Sequence, residues 1–121
     1  MKLKWASFRA ALAGLAFHLG TQVSARWHVV ASVLAVTLGL ILKVSRGEWL
    51  ALILAMGLVW IAEAVNTAIE QACDAITREQ KPEIRHAKDV AAGAVLLASI
   101  FAVLVGLIVF LPHLFAWECR L

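Results

Sequence analysis

Residues 29–42, 49–62 and 90–117 of this 121-residue chain contain no Asp, Glu, Lys or Arg. A helix that crosses the hydrocarbon core of a bilayer needs about 20 mostly apolar residues. The third stretch is long enough alone, and the first two become long enough when their flanks are included. A soluble domain of this size needs a largely polar exterior, which a chain with 63% hydrophobic residues cannot supply. We therefore predict an all-α membrane protein with transmembrane helices at 26–42, 49–72 and 90–115.

Residues 1–22 are expected to form a further helix that lies on the membrane surface. Their large apolar side chains share one helical face, made of Phe8, Leu12, Leu15 and Leu19. This pattern is typical of an amphipathic helix in the membrane interface, and a frayed basic tail is the alternative. A cleaved signal peptide is not expected, because Arg9 and His18 interrupt the apolar segment that such a peptide requires. No repeat or linker divides the chain, so residues 1–121 are expected to be one integral-membrane domain.

The distribution of basic residues predicts the orientation of the chain. Eight of them lie before the first span or between the second and third spans: Lys2, Lys4, Arg9, Arg26, Arg78, Lys81, Arg85 and Lys88. Only Lys43, Arg46 and Arg120 lie on the other side. The N-terminus and the second loop are therefore expected in the cytoplasm. Orientation and anionic lipid account for the net charge of +3, so no nucleic-acid partner is expected.

The second span carries a stripe of polar side chains on one face, made of Glu63, Asn66, Thr67, Glu70 and Asp74. An ionisable group at the centre of a span costs about 2.5–3.5 kcal/mol, so this stripe indicates a functional site. If Trp49 marks the outer interface, Glu63 lies about 21 Å further along the helix and Glu70 about 32 Å. The stripe then descends from cytoplasmic water into the inner leaflet, which is typical of an interfacial active site. Polar packing between helices remains the alternative.

The second loop returns basic groups to the same end of the stripe. Pro82 is expected to interrupt the helix, and Lys88 and Asp89 are expected to open the third span. Asp89 would complement the positive end of that helix. Capping and snorkelling are the alternative explanation for this pair. Cys73 and Cys119 are expected on opposite sides of the membrane, so they cannot pair within one chain.

Two groups of residues together resemble a known signature. The first is Glu63-x-x-Asn66-Thr67-Ala68-Ile69-Glu70-x-x-x-Asp74, and the second is Ala87-Lys88-Asp89-Val-Ala-Ala-Gly-Ala-Val-Leu-Leu. They closely resemble the signature of the prokaryotic diacylglycerol kinase and undecaprenol kinase family. The segments Ser7–Gly14 and Ala25–His28 are similar to the N-terminal part of that family. The resemblance implies phosphorylation of a lipid hydroxyl from ATP at the cytoplasmic surface of the bacterial inner membrane. It also implies a homotrimer whose active sites are shared between subunits.

The resemblance implies a role for each residue of the motif. Glu63 lies at the position of the general base and, with Asn66, at the lipid-substrate site. Glu70 lies where a carboxylate holds the Mg²⁺ that is bound to ATP, and is therefore also a nucleotide-binding residue. The other positions that match nucleotide-binding residues are Asp74, Lys88 and Asp89. These roles agree with the chemistry, because phosphoryl transfer needs mainly positioning and charge neutralisation.

Gln22 lies where this sequence departs from the family. The family usually has a second metal-binding glutamate between the surface helix and the first span, and Gln22 occupies that position here. We assign Gln22 to the metal and nucleotide site, because an amide oxygen can also bind a hard cation. The amide brings no charge, so weaker Mg²⁺ binding is expected.

Two other functions remain open from the residues alone. A small oligomeric proton- or ion-coupled transporter could use Glu63 as its titrating carboxylate, although it would not need Lys88 and Asp89. A catalytically silent assembly subunit would be compatible with Gln22. Within the kinase hypothesis, the segment 87–95 is more similar to undecaprenol kinases than to diacylglycerol kinases, and both substrates stay open.

Overall fold

The computed structural model describes residues 2–119. They form four α-helices in chain order, namely α1 (Lys2–Thr21), α2 (Val23–Leu42), α3 (Arg46–Ile76) and α4 (Pro82–Glu118). The last three are long and apolar enough to cross a membrane. The predicted all-α fold with three candidate spans is therefore confirmed. The interfacial position of α1 and the assembly into a homotrimer stay predictions.

The helices α3 and α4 extend well beyond the apolar segments that predicted them. Pro82 takes the first helical position of α4, where its missing N–H costs no hydrogen bond, and Glu83 supplies the acidic residue of the first turn. Consequently Lys88 and Asp89 lie inside α4, after its first turn, and they do not open the helix. The expected complement between Asp89 and the helix N-terminus is wrong for this reason.

A tight connection holds α2 and α3 side by side. Lys43 ends α2 in the left-handed conformation, with φ 52°. Ser45 then caps α3 in a reciprocal arrangement, since its hydroxyl accepts from the Glu48 N–H and the Glu48 carboxylate accepts from the Ser45 N–H, both at 3.2 Å. Two backbone donors at the start of α3 are thereby satisfied.

The helices α3 and α4 form an antiparallel pair that is the main body of the fold. Near the start of α3, an apolar cluster of Val44, Leu52 and Val109 is buried, and the His113 ring donates to the Glu48 carboxylate at 2.8 Å. At the other end, Lys88 donates to Asp74 at 2.7 Å. Polar contacts therefore fix the register of the pair at both ends.

The helix α2 packs antiparallel to α3 through three contacts along its length. Near its C-terminal end, Gly39 is buried beneath the Trp49 ring. In the middle, the Trp60 indole donates to Ser32 at 3.0 Å. At its N-terminal end, side chains of α2 contact Glu63. The C-terminal end of α1 contacts α3 through His18 and Thr67. The polar stripe of α3 is therefore contacted by α1 and α2, and by α4 through Lys88.

Candidate active site

Glu63 is buried in the interface between α2 and α3, with 5% of its surface exposed. Its Oε1 lies 3.1 Å from the Nε2 of His28, and its Oε2 accepts from the Ser24 hydroxyl at 3.2 Å. His28 and Ser24 are four residues apart on α2, so they share one helical face. Both carboxylate oxygens of Glu63 therefore have donors, as a buried charged group requires.

His28 and Ser24 are functional candidates that the sequence interpretation missed. Only His28 lies in a segment that is similar to the family, and neither residue was expected to have a partner on α3. The signal that could have found them is a second polar stripe, since Ser24, His28 and Ser32 follow each other at intervals of four. Such a stripe on an otherwise apolar span indicates a polar partner helix.

Thr67 and His18 join α1 to the same face of α3. The Nδ1 of His18 lies 2.8 Å from the Thr67 hydroxyl, and both residues are buried. The Nε2 of His18 is also buried, and it has no hydrogen-bond partner among residues 2–119. Thr67 therefore joins α1 to α3 through a buried hydrogen bond.

Asn66 and Glu70 form the next level of the stripe, one turn apart on α3. The Asn66 amide donates to the Glu70 Oε1 at 3.3 Å. The Asn66 Oδ1 is buried, and within the described part of the chain it has no hydrogen-bond partner. Glu70 is half-buried. The Glu70 carboxylate thus contacts the amide of Asn66, whose oxygen has no donor among the described residues, and carboxylate and amide oxygens are hard ligands of the kind that Mg²⁺ prefers.

Asp74 and Lys88 lie beyond the predicted spans, where α3 and α4 approach their connecting loop. The hydrogen bond from Lys88, at 2.7 Å, holds the pKa of the Asp74 carboxyl below its usual value. The same contact raises the pKa of Lys88. Asp89 faces differently, because it approaches Arg85 at 3.9 Å and both side chains are exposed. The structure therefore joins Lys88 to Asp74 and leaves Asp89 on the surface.

A small basic cavity lies beside Lys88. It encloses about 180 Å³, and its lining combines four basic residues, Arg78, Lys81, Arg85 and Lys88, with two acidic ones, Glu79 and Asp89. The excess of positive charge suits an anionic ligand. The spacing of basic residues in the loop predicted this concentration of charge, and the fold gathers them around one space.

Gln22 lies at the N-cap of α2, two residues before Ser24. It is half-buried, and its side chain makes no capping hydrogen bond. Across residues 2–119, no group of three or more His, Cys, Asp or Glu side chains could hold a metal ion. The candidate ligands for a cation are the Glu70 carboxylate and the amide oxygens of Asn66 and Gln22, and phosphate oxygens and water would complete its shell. This ligand set is the one that Mg²⁺ commonly uses with nucleotides.

The fold and the site together define a small helical membrane protein. Its ionisable groups run from a buried carboxylate to a basic cavity at the helix ends. Residues 9–110 match the family described as prokaryotic diacylglycerol kinase. The chain belongs to this family, and the prediction of a lipid kinase is confirmed at that level.

Three relatives illustrate the similarity. An undecaprenol kinase of Bacillus subtilis is 35% identical over 94 residues, which cover 78% of this chain and 76% of the relative. A diacylglycerol kinase of Synechocystis is 40% identical over 109 residues, which cover 89% of this chain and 62% of the relative. A diacylglycerol kinase of Pseudomonas aeruginosa is 32% identical over 87 residues, with coverages of 72% and 71%. The chain thus spans less than two thirds of the Synechocystis protein.

Proposed function

We propose that this protein transfers the γ-phosphate of ATP to the hydroxyl group of a membrane lipid. The lipid is undecaprenol or diacylglycerol, as the names of the relatives suggest. We place the reaction at the cytoplasmic surface of the bacterial inner membrane and the protein in a homotrimer. Family membership favours this activity over an ion-coupled transporter, which would not need the cavity beside Lys88.

The general base of the proposed reaction is Glu63. The observation that carries this assignment is the burial of its carboxylate between α2 and α3 with a donor on each oxygen. A carboxylate held in this way is fixed in one orientation and keeps lone pairs free for a substrate hydroxyl. In our proposal Glu63 lies in α3 at a depth that a lipid hydroxyl reaches from the inner leaflet.

The nucleotide site lies at the other end of the stripe. Glu70 is about 10 Å from Glu63 along α3, and Asp74 is about 16 Å from it, at 1.5 Å per residue. The basic cavity beside Lys88 follows directly. The sequence has no GxxxxGK loop to cradle phosphates, so side chains have to neutralise them. In our proposal Lys88 and the cavity hold the phosphates, and Asp74 fixes Lys88.

The oxygens of Glu70 and Asn66 fit a magnesium ion. The supporting observation is the buried Asn66 Oδ1, which no donor in the described chain satisfies, next to the Glu70 carboxylate. When bound with ATP, Mg²⁺ would neutralise charge on the phosphates. Gln22 is the proposed further ligand. The Asn66 amide also donates to Glu70, and this contact helps to hold the carboxylate in place.

The test is a transfer assay with radiolabelled ATP and purified protein in lipid nanodiscs, in which undecaprenol and diacylglycerol are offered separately. We expect labelled lipid from the wild type, and a turnover at least about 100-fold lower for Glu63→Gln, the usual contribution of a general base. Binding of ATP should be unchanged. Glu48→Gln is the matched control, because Glu48 also contacts a histidine but at the opposite end of the bundle. Wild-type turnover in Glu63→Gln would remove Glu63 from the mechanism.

A further inference from the structure

The side chain of His28 is in hydrogen-bond contact with Glu63, the proposed general base. Its Nε2 lies 3.1 Å from the Glu63 Oε1, and the side chains of His28 and Glu63 are 23% and 6% exposed. We propose that His28 is a positioning residue for Glu63, and that it fixes the carboxylate in the orientation that accepts the lipid proton. This inference rests on the proposed function and adds a residue to its machinery.

The environment of Glu63 makes this contact consequential. In the proposed reaction the proton of the lipid hydroxyl passes to Glu63, the hydroxyl oxygen bonds to the γ-phosphorus, and the bond to ADP breaks. A buried carboxylate without a donor is strongly unfavourable, so Glu63 depends on the two donors from α2. Ser24 offers a hydroxyl, which rotates freely, whereas the imidazole of His28 is rigid and directional. His28 is therefore the stronger determinant of where the carboxylate points.

The orientation of His28 is itself supported by its neighbours. Its ring meets the Trp60 ring edge-on, with centroids 6.5 Å apart and an interplanar angle of 62°. The Trp60 indole is held by its hydrogen bond to Ser32. Two residues of α2 and two of α3 thus form a continuous chain of contacts, Ser32, Trp60, His28 and Glu63. Such support is what keeps a side chain next to a reacting group in place.

His28 also borders an apolar cavity between the spans. This cavity has a volume of about 330 Å³ and lies among α2, α3 and α4, with Ser32, Trp60, Ser99 and Gly106 among its lining residues. A group at this position can therefore influence Glu63 from the membrane side, away from the nucleotide. We accordingly expect changes at His28 to affect turnover and to leave the use of Mg·ATP unchanged.

The first test compares His28→Gln with His28→Asn in the same transfer assay. The amide nitrogen of Gln takes the place of the histidine Nε2, whereas that of Asn takes the place of Nδ1 and falls short of Glu63. We expect His28→Gln to keep most of the wild-type kcat. We expect His28→Asn to lose at least about 10-fold, a part of the 100- to 10,000-fold that a general base contributes. The KM for Mg·ATP should stay unchanged in both. Equal kcat in the two variants would overturn the proposal.

The second test places His28→Asn in the Glu63→Gln background. If His28 acts through Glu63, the double variant should be no slower than Glu63→Gln alone, because residues that act as a unit are not additive. An additional loss of the same size in both backgrounds would overturn the proposal. His113→Asn is the control for folding, since it breaks the corresponding pair with Glu48 far from the site. A failure of the proposed function is distinguishable, because the wild type would then label no lipid, and a failure of the Glu63 assignment would leave Glu63→Gln fully active.

Discussion

Replacing Gly39 by Ala tests how closely α2 must approach α3 to deliver His28 and Ser24 to Glu63. A Cβ atom at this position would lie 2.7 Å from the Trp49 Cη2 atom and 3.0 Å from its Cζ2 atom. Carbon atoms in favourable contact are about 3.5–4.0 Å apart, so the added methyl group overlaps the ring by about 1 Å. Trp49 packs against the cluster of Val44, Leu52 and Val109, so its ring cannot move without losing these contacts.

The magnitude follows from two opposing terms. Overpacking of this kind costs about 1–3 kcal/mol, whereas Ala in place of Gly stabilises a helix interior by about 1 kcal/mol. Gly57→Ala in α3 is the matched control, because a Cβ there meets no atom within 4 Å. We expect Gly39→Ala to be less stable than Gly57→Ala by about 1–3 kcal/mol, which is the contact term alone.

The assay is unfolding by SDS in mixed micelles, followed by tryptophan fluorescence, with kcat measured in parallel. The outward shift of α2 in Gly39→Ala should also lower kcat, and Trp49→Leu in the same chain should restore part of the stability. If Gly39→Ala and Gly57→Ala unfold at the same SDS fraction, α2 does not pack on α3 as the structure has it. The contacts proposed for Glu63 would then lose their basis.

Three further predictions concern the helix ends and the nucleotide site. Lys88→Ala should raise the KM for Mg·ATP by about 10-fold, the effect of losing one charge-assisted hydrogen bond. Lys88→Arg keeps the positive charge and should raise this KM less. Gln22→Glu should shift the Mg²⁺ dependence of the rate to lower concentration with little change in kcat, because it adds a charge to a cation site; an unshifted curve would remove Gln22 as a ligand. Ser45→Ala should destabilise α3 by about 1 kcal/mol. The backbone N–H of Ser45 donates to the Glu48 carboxylate and is the largest cause that lowers the pKa of Glu48, with the Ser45 side chain and His113 as smaller causes, so the stabilisation from this carboxylate is present above the ordinary carboxyl pKa. It is lost as the pH falls through the lowered pKa. Ser45→Ala keeps the backbone N–H and should keep most of this pH dependence, whereas the thermal stabilities of wild type and Glu48→Gln should converge in acid.

The helices could be predicted from the sequence because charge-free runs of this length have few other structures available. The polar face of α3 could also be predicted, since a period of 3.6 residues places Glu63, Glu70 and Asp74 together. The start of α4 was predicted wrongly, because the apolar pattern begins at Val90 and the preceding two turns are polar. Only the favourable position of Pro82 and Glu83 indicates that the helix begins earlier.

The partners of the stripe could not be predicted, and the reason is physical. Periodicity shows which residues share a face of one helix, but it does not show which other helix covers that face. Ser24 and His28 reach Glu63 because the short turn at 43–45 folds α2 back along α3, in a register set by Gly39 and Trp49. His18 reaches Thr67 through the placement of α1. Both contacts depend on tertiary packing.

The helices α1 and α2 cover part of the polar stripe of α3 within one chain. A polar stripe on a single layer of membrane helices needs protein on its open side to shield it from lipid. The deep half of the stripe is already covered within one chain, because Glu63 and Thr67 are only 5% and 4% exposed. The shallow half is open, since the side chains of Asp74 and Lys88 are 40% and 38% exposed at the helix ends. We propose that a neighbouring subunit of the homotrimer acts at the nucleotide end, where it would complete the site around ATP. Separated subunits should consequently keep the Glu63 contacts and lose affinity for Mg·ATP.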